Sequence, residues 1–187
     1  MSMTHESALE RLIDGNKEFI KAQNNPADIS PTRRLDTAQN GQKPYAVIVT
    51  CSDSRVAAEH IFSAGIGELF IIRTAGNVVG NFELGSIEYA VEHLGVKLIL
   101  ILGHSGCGAA IAAFNDVKTS GNLTSVIDEI SSGIVGAKCP TDAIKMNVNH
   151  SLQKVLDINV VGERVKKSDV NVLSAIYDME SGVVELI

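Results

Sequence analysis

The sequence is poor in cysteine, in positive charge and in long apolar runs. Its three cysteines, an odd number, argue against a disulfide framework and favour a metal-binding or catalytic use in a reducing compartment. The formal net charge of −6 argues against nucleic acid or an anionic membrane surface as the main partner. No apolar run approaches the length that spans a bilayer, and residues 1–12 do not read as a secretory signal. These absences predict a cytoplasmic protein without nucleic-acid or membrane partners.

Several catalytic motifs are missing as well. The chain has neither a Walker loop nor a G-x-G-x-x-G fingerprint, so nucleotide chemistry has no support. Cys51 is followed by Arg55 at a shorter spacing than the C-x5-R of a cysteine phosphatase. There is also no C-x-x-C motif, although a redox pair of Cys51 and Cys107 stays conceivable.

The length and the apolar pattern predict one α/β domain. A chain of 187 residues with 45% hydrophobic content can bury one good core, and a second full domain is not expected. Residues 45–50, 69–73 and 97–102 are unbroken apolar runs, which is typical of strands covered on both faces in a parallel sheet. We therefore expect a single domain over 1–187, with a mostly parallel central β-sheet flanked by α-helices.

Helical spacing of apolar residues fills most of the remaining chain. Ser7 and Glu10 have the form of a capping box for an N-terminal helix over 7–22, followed by an extended, proline-bearing segment. We take residues 1–40 as this N-terminal helix and arm, and 41–187 as the α/β core. Further predicted helices cover a stripe from Leu84 to Leu94 that stops at Gly95, the segment after Cys107, 123–132 and 141–160. The tail predicts a strand, a turn at 180–182 and a short closing strand.

Two predicted strands end in metal-binding residue types. The first runs into Cys51, and the third runs through Gly103 into His104, with Cys107 three residues later. Functional crevices in open α/β sheets lie beyond the carboxyl ends of the strands, so these side chains converge if the two strands are neighbours. Two thiolates and an imidazole suit zinc, whose catalytic sites use three protein ligands and keep one open position.

Simpler interpretations of these cysteines stay open on spacing alone. A lone Cys51 is more often a packing residue, because free cysteine is among the most buried residue types. A structural zinc site needs a fourth ligand, and Cys139 is available in principle, although it precedes Pro140 without a ligand-like neighbour.

Asp53 and Arg55 follow Cys51 at alternate positions. An ordinary surface ion pair contributes little, and that is the simpler interpretation of the two residues. Their placement two and four residues after a candidate metal ligand favours a role at the metal instead.

With "CSDSR" at 51–55 and "HSGCG" at 104–108 in one chain, the sequence closely resembles the β-class carbonic anhydrases. The resemblance runs from about Gln42 to Gly108, includes "LFIIRTAGNVV" and "GSIEYAVEHLGVKLILILGH", and continues more loosely to the C-terminus. It implies a zinc lyase that hydrates carbon dioxide reversibly to bicarbonate and a proton through a zinc-bound hydroxide.

Carried over position by position, the resemblance assigns roles to individual residues. It implies one Zn2+ per chain, bound by Cys51, His104 and Cys107, with Asp53 and Arg55 as a catalytic dyad. Asp53 is also a fourth ligand in a closed state of some family members. The residues that it implies for the substrate pocket, partly contributed by a neighbouring subunit, are Gln42, Phe70, Ala75, Tyr89 and Gly108.

The resemblance also implies a homodimer or a dimer-based higher oligomer, with the N-terminal helix packed across the partner. Two other functions compete with carbon dioxide hydration. One is hydrolysis of a related heterocumulene, carbonyl sulfide or carbon disulfide, at the same site. The other is a catalytically silent zinc protein that serves as a scaffold or redox sensor, which the presence of both Asp53 and Arg55 disfavours.

Overall fold

The computed structural model of the protein describes residues 3–22 and 24–187. Its centre is a five-stranded sheet with the strand order β2-β1-β3-β4-β5. The strands are β1 (Ala46–Cys51), β2 (Leu69–Thr74), β3 (Leu98–His104), β4 (Asn171–Tyr177) and β5 (Val184–Leu186). The first four run parallel and β5 is antiparallel to β4, so the predicted mostly parallel sheet is confirmed.

The two central strands are buried along their whole length. Every residue of β1 and of β3 is buried, because helices cover both faces of the sheet. This explains why the sequence of these strands shows continuous apolar runs rather than alternation. The pairing places Thr50 of β1 beside Leu102 of β3, where the Thr50 hydroxyl donates a hydrogen bond to the Leu102 carbonyl at 2.8 Å.

Eight helices surround the sheet in the described part of the chain. They are α1 (His5–Lys21), α2 (Pro31–Asn40), α3 (Ala58–Ile61), α4 (Asn81–His93), α5 (Gly108–Phe114), α6 (Asn122–Gly133), α7 (Pro140–Leu156) and α8 (Asn159–Lys166). A short 3-10 turn, Ala75–Asn77, follows β2. Helix α4 carries the predicted stripe, and Gly95 follows its cap residue Leu94 with φ of +69°.

The core has three parts that together position the carboxyl edge of the sheet. On one face, α1 and α3 pack against alternate residues of β1 and β3, such as Ile48 and Leu100. On the other face, α4, α7 and α8 pack against the intervening residues, such as Val49 and Ile101. A third cluster joins α5, α6 and α7 to Cys51 and Cys107 beyond the strand ends.

The N-terminal helix begins earlier than expected. It starts at His5, because Thr4 rather than Ser7 is the N-cap and accepts a hydrogen bond from the Ser7 amide at 3.3 Å. One side of the helix packs on the chain's own sheet, where Ala8 and Leu12 are buried in the first core cluster. Burying a leucine side chain such as Leu12 contributes about 1.5–3 kcal/mol, which explains this attachment. The implied packing of the helix across a partner stays a prediction.

Two further secondary-structure predictions were incomplete. The proline-bearing segment is extended only to Ser30, which caps α2 by accepting a hydrogen bond from the Arg33 amide at 3.1 Å. Pro31 then occupies the first helical position, where its missing N–H is not needed. The predicted helix over 141–160 is two helices, because the chain turns at the extended residue Ile158 between α7 and α8. The strand, turn and strand of the tail are confirmed as β4 and β5.

Among the residues described, none of the helices combines the length and the apolar character needed to cross a membrane.

Candidate metal centre

The strand order brings two chemically active strand ends together. Strands β1 and β3 are parallel neighbours, and Cys51 and His104 are their last residues. Carboxyl ends of neighbouring parallel strands meet at the same edge of a sheet, so both side chains reach the same crevice. The condition that the sequence left open, adjacency of the two strands, is met.

A tight turn adds the third residue. Between His104 and Cys107 the chain passes through Gly106, whose φ of +66° is a left-handed conformation that glycine adopts without steric cost. Ser105 anchors this turn to the end of β4: its amide donates to the Tyr177 carbonyl at 2.9 Å, and its hydroxyl oxygen accepts from the Met179 amide at 3.0 Å. Cys107 is therefore held at the start of α5 and faces the crevice.

Cys51, His104 and Cys107 form a compact and buried group. One potential ligand atom from each residue lies within 4.8 Å of the other two. The group contains no fourth histidine, cysteine or acidic residue among the described parts of the chain. Cys139, the conceivable fourth ligand of a structural zinc site, is exposed as the cap residue of α7 and is not part of the group.

The histidine ring is oriented for metal binding. Its Nδ1 lies 3.0 Å from the Ser105 carbonyl oxygen and therefore carries the proton, so the lone pair is on Nε2. Nε2 is buried without any hydrogen-bond partner, which is costly for a polar atom inside a protein. A metal-bound histidine commonly donates its second N–H to a backbone carbonyl in this way. The unpartnered nitrogen and the two sulfur atoms thus fit zinc, which binds this set of donors in proteins.

The two thiols affect each other's ionisation. The pKa of Cys51 is lowered chiefly because the Cys107 thiol donates a hydrogen bond to it. The pKa of Cys107 is raised by the same contact and by burial. Two backbone amides also point at the Cys51 sulfur, that of Asp53 at 3.4 Å and that of Gly76 at 3.3 Å. Negative charge is therefore stabilised on Cys51 first.

Asp53 and Arg55 lie on the loop directly after Cys51 and bind each other through two parallel hydrogen bonds. The guanidinium of Arg55 holds the pKa of the Asp53 carboxyl well below its usual range. A second arginine fixes the loop itself: Arg73 of β2 donates to the carbonyls of Cys51 at 3.1 Å and Asp53 at 2.7 Å. The loop thus presents an ionised carboxylate beside the Cys51–His104–Cys107 group.

The five predicted pocket residues fall into two sets. Ala75 starts the 3-10 turn that contacts Cys51, and Gly108 directly follows Cys107, so both lie beside the metal-binding group. Gln42, Phe70 and Tyr89 lie elsewhere in the chain. Phe70 pairs with Val47 near the amino end of β1, four residues before Cys51, and its ring lies 6.3 Å from that of Tyr89.

Gln42 is still farther from the group. It is exposed in the segment that precedes β1, next to Lys43, whose amide donates to the Gly67 carbonyl ahead of β2. At about 3.3 Å per residue, the five steps from Ala46 to Cys51 alone separate the two ends of β1 by about 17 Å. Gln42 therefore lies at the amino ends of the parallel strands, and the metal-binding group of the same chain lies at their carboxyl ends.

Sequence reasoning missed a buried polar pair on α7. Asn147 and Ser151 both hydrogen-bond to the 3-10 turn after β2, across more than 70 residues of sequence. Their spacing of four residues on a helix with an otherwise apolar buried face was a usable signal, because polar side chains are costly to bury without partners. The partners of the two side chains cannot be identified from residue types and spacing.

Comparisons with known proteins identify relatives of the chain. The model of the family described as "Carbonic anhydrase" matches residues 46–184. The chain is 35% identical over 186 residues to "Carbonic anhydrase 2" of Mycobacterium tuberculosis, which covers 94% of this chain and 89% of the relative. It is 30% identical over 202 residues to "Beta carbonic anhydrase 3" of Arabidopsis thaliana, covering 96% and 76% of the two chains.

The fold is similar to solved structures as well. A tetrameric β-carbonic anhydrase from the ascomycete Sordaria macrospora superimposes with a TM-score of 0.75 at 24% identity. The match covers 84% of this chain and 87% of that chain. At this identity the likeness establishes the shared single-domain α/β fold.

Proposed function

The chain belongs to the β-class carbonic anhydrase family and catalyses the reversible hydration of carbon dioxide to bicarbonate and a proton, and we propose that it does so with zinc bound to Cys51, His104 and Cys107. The observation that carries the proposal is the buried, compact group of two sulfur atoms and one unpartnered imidazole nitrogen. Such a group fits one Zn2+ per chain with a fourth position left for water.

Zinc bound at this site would act as a Lewis acid, lowering the pKa of water so that a nucleophile is available near neutral pH. The residues around it fix the donor atoms. Ser105 holds the imidazole ring through Nδ1, and the amides of Asp53 and Gly76 hold the Cys51 sulfur. The nearby apolar residues of the third core cluster exclude water from the buried side of the group.

Asp53 orients the attacking water in this proposal. A carboxylate offers about four acceptor positions. Arg55 uses two of them on Oδ1, through its backbone amide and Nε, and one on Oδ2, through Nη2. Oδ2 therefore keeps capacity for one more donor, which we assign to the O–H of the water. Because Arg55 keeps Asp53 ionised, the carboxylate accepts this hydrogen bond and leaves a lone pair on the water oxygen for the carbon of the substrate.

A second copy of the chain completes the substrate pocket in this proposal. Gln42 precedes β1, Phe70 lies near the amino end of its strand, and Tyr89 packs against Phe70, so the three are away from the metal-binding group of their own chain. Ala75 and Gly108 lie beside that group. A homodimer in which each chain lends these three side chains to its partner accounts for both placements. The aromatic pair suits an uncharged, linear substrate, and Gln42 adds a polar contact.

We place this activity in the cytoplasm. Thiolate ligands bind metal only while they are reduced, and the three cysteines of the described chain are all free thiols. A reducing compartment keeps Cys51 and Cys107 available for the metal.

The decisive experiment measures proton release from dissolved carbon dioxide by stopped-flow spectroscopy, together with the zinc content of the same protein. We expect hydration well above the buffer rate, loss of the rate after removal of zinc by a chelator, and recovery on adding Zn2+. A preparation with one zinc per chain and no rate above that of buffer would refute the proposal.

A further inference from the structure

The sulfur of Cys51 depends on a backbone amide that the neighbouring turn must hold in place. Gly76 donates its N–H to Cys51 Sγ at 3.3 Å, and Gly76 and Cys51 are 25 residues apart in sequence. A hydrogen bond to a metal-binding sulfur tunes how strongly the sulfur donates to the metal. The direction of this N–H is therefore relevant to the metal site, and it is set by the conformation of the Ala75–Asn77 turn.

The Ala75–Asn77 turn has an unfavourable backbone conformation that needs support from the surrounding structure. Gly76 has φ of +66° and Asn77 has φ of +49°, two consecutive residues in the left-handed region. Such a conformation is unfavourable for a residue with a side chain and persists only where the surrounding structure holds it. Space is also limited, since a Cβ at Gly76 would lie 2.7 Å from Ile130 Cδ1.

Helix α7 supplies the support. The Asn147 amide nitrogen, Nδ2, donates to the Gly76 carbonyl at 2.7 Å, and the Ser151 hydroxyl donates to the Asn77 carbonyl at 2.9 Å. Asn77 Nδ2 also donates a hydrogen bond to the Ser151 hydroxyl oxygen, at 3.4 Å. Asn147 and Ser151 are one helical turn apart, so they face the same side and bind the turn at successive carbonyls.

The side chains of Asn147 and Ser151 are too deeply buried to form hydrogen bonds with solvent. Asn147 and Ser151 are each 1% exposed, and Asn77 is equally buried. Polar groups are costly at such positions unless they are bonded, and the 3-10 turn provides the described partners of both helix residues. Apolar residues would fill this helix face at less cost, so the polar pair is specific to holding the turn.

We propose that Asn147 and Ser151 are positioning residues for the metal centre, which act on Cys51 through the Gly76 amide. The inference rests on the proposed function, since Cys51 needs a directed hydrogen bond only as a metal ligand. Loss of either side chain frees a carbonyl of the turn, lets Gly76 rotate away from Cys51 and weakens metal binding without removing any ligand.

The test compares the metal affinity of Ser151→Ala, Asn147→Leu and the conservative variant Ser151→Thr with that of the wild-type chain. Zinc affinity is measured by competition with a chromophoric chelator. The same proteins loaded with Co2+ report on the sulfur ligands through the sulfur-to-cobalt charge-transfer absorption, a readout independent of catalysis. Val155→Ala is the matched control, because Val155 is buried on α7 and packs in the second core cluster away from the turn.

We expect Ser151→Ala and Asn147→Leu to bind zinc about tenfold more weakly and to shift the cobalt absorption band. Ser151→Thr keeps the hydroxyl and restores both properties, and Val155→Ala lowers the melting temperature while leaving both unchanged. If Asn147→Leu does not fold, the smaller change Ser151→Ala decides the question alone. If the wild type binds metal and the variants have the same zinc affinity and cobalt absorption, this inference is overturned but the proposed function is not. A wild-type chain that binds neither zinc nor cobalt overturns the proposed function and the inference together.

Discussion

Asp53 and Arg55 form a bidentate ion pair although a single residue separates them in sequence. Arg55 Nε lies 2.9 Å from Oδ1 and Nη2 lies 2.7 Å from Oδ2, while the Arg55 amide binds Oδ1 at 3.0 Å. The planar fork of a guanidinium matches a carboxylate in this geometry, which an ammonium group cannot reproduce. The carboxylate is therefore fixed in direction as well as in charge, directly beyond Cys51.

Arg55→Lys tests the importance of that fixed direction. The variant keeps a positive charge near Asp53 but loses the second parallel hydrogen bond, so the carboxylate can rotate. We expect unchanged zinc content and a turnover number lower by about tenfold to a hundredfold, since small misplacements of a catalytic group have effects of that size. Stopped-flow hydration measures the change. Arg164→Lys, in an ion pair with Asp169 on another part of the surface, should retain the wild-type rate.

Asp53→Ala tests the role of the carboxylate itself. Asp53 is not one of the three grouped ligand donors, so we expect stoichiometric zinc in the variant. Removing a group that positions and polarises the reacting water should reduce turnover by about a hundredfold to ten-thousandfold. Metal analysis and the hydration assay are made on the same sample. Full activity in this variant would remove Asp53 from the mechanism.

Cys107→Ser tests the metal ligand assignment. Serine has nearly the same size as cysteine but is a poor ligand for zinc, so the variant should lose zinc or bind it much more weakly. Elemental analysis after dialysis gives the zinc content. Cys139→Ser is the matched control, since Cys139 is exposed and outside the group, and it should keep one zinc per chain. Stoichiometric zinc in Cys107→Ser would contradict the assignment.

A mixture of two inactive variants tests whether the pocket is shared between chains. We expect Gln42→Ala to lose activity because its partner's pocket lacks the amide, and Cys107→Ser to lose activity because its own site lacks metal. In a hybrid dimer, the metal site of the Gln42→Ala chain receives an intact Gln42 from the Cys107→Ser chain. Co-refolding the two should therefore recover a substantial part of the wild-type rate. Absence of any recovery, with hybrid dimers shown to form, would place Gln42 outside the partner's pocket.

The stability of the fold should depend on pH through Asp169. Lys97, the residue before β3, donates to Asp169 Oδ1 at 2.6 Å, and this contact, with Arg164 nearby, lowers the pKa of the carboxyl. A lowered pKa in the folded state adds to the free energy of unfolding above the ordinary aspartate pKa of about 4, and the contribution disappears as pH falls through the lowered value.

Asp169→Asn should therefore have a lower melting temperature than the wild type at pH 7, and the difference should shrink at pH 3 and below. Thermal unfolding followed by circular dichroism at a series of pH values measures it. The effect is modest because the side chain is 37% exposed and partly screened by solvent. Asp116→Asn is the control, since Asp116 and Lys118 are each 86% exposed. A difference that is the same at every pH would exclude this ion pair as the cause.

Residue types and spacing were enough to predict the strands and the turns that directly follow them. The apolar runs that end at Cys51 and His104 predicted buried parallel strands, and the three-residue step to Cys107 predicted a second ligand on the same turn. The contact between Asp53 and Arg55 is also local, because two residues this close in a short loop can reach each other without help from the rest of the fold. These relationships depend on backbone geometry over a few residues, which residue types and spacing specify.

Contacts between elements that are distant in sequence became known from the folded chain alone. The tertiary structure placed β1 beside β3, attached α1 to the chain's own sheet through Leu12, and directed Asn147 and Ser151 of α7 at a turn more than 70 residues earlier. A buried polar residue shows in the sequence that some partner must exist, but its identity depends on how all the layers pack at once. Packing is a property of the whole core, so the partners of Asn147 and Ser151 are defined only in the folded chain.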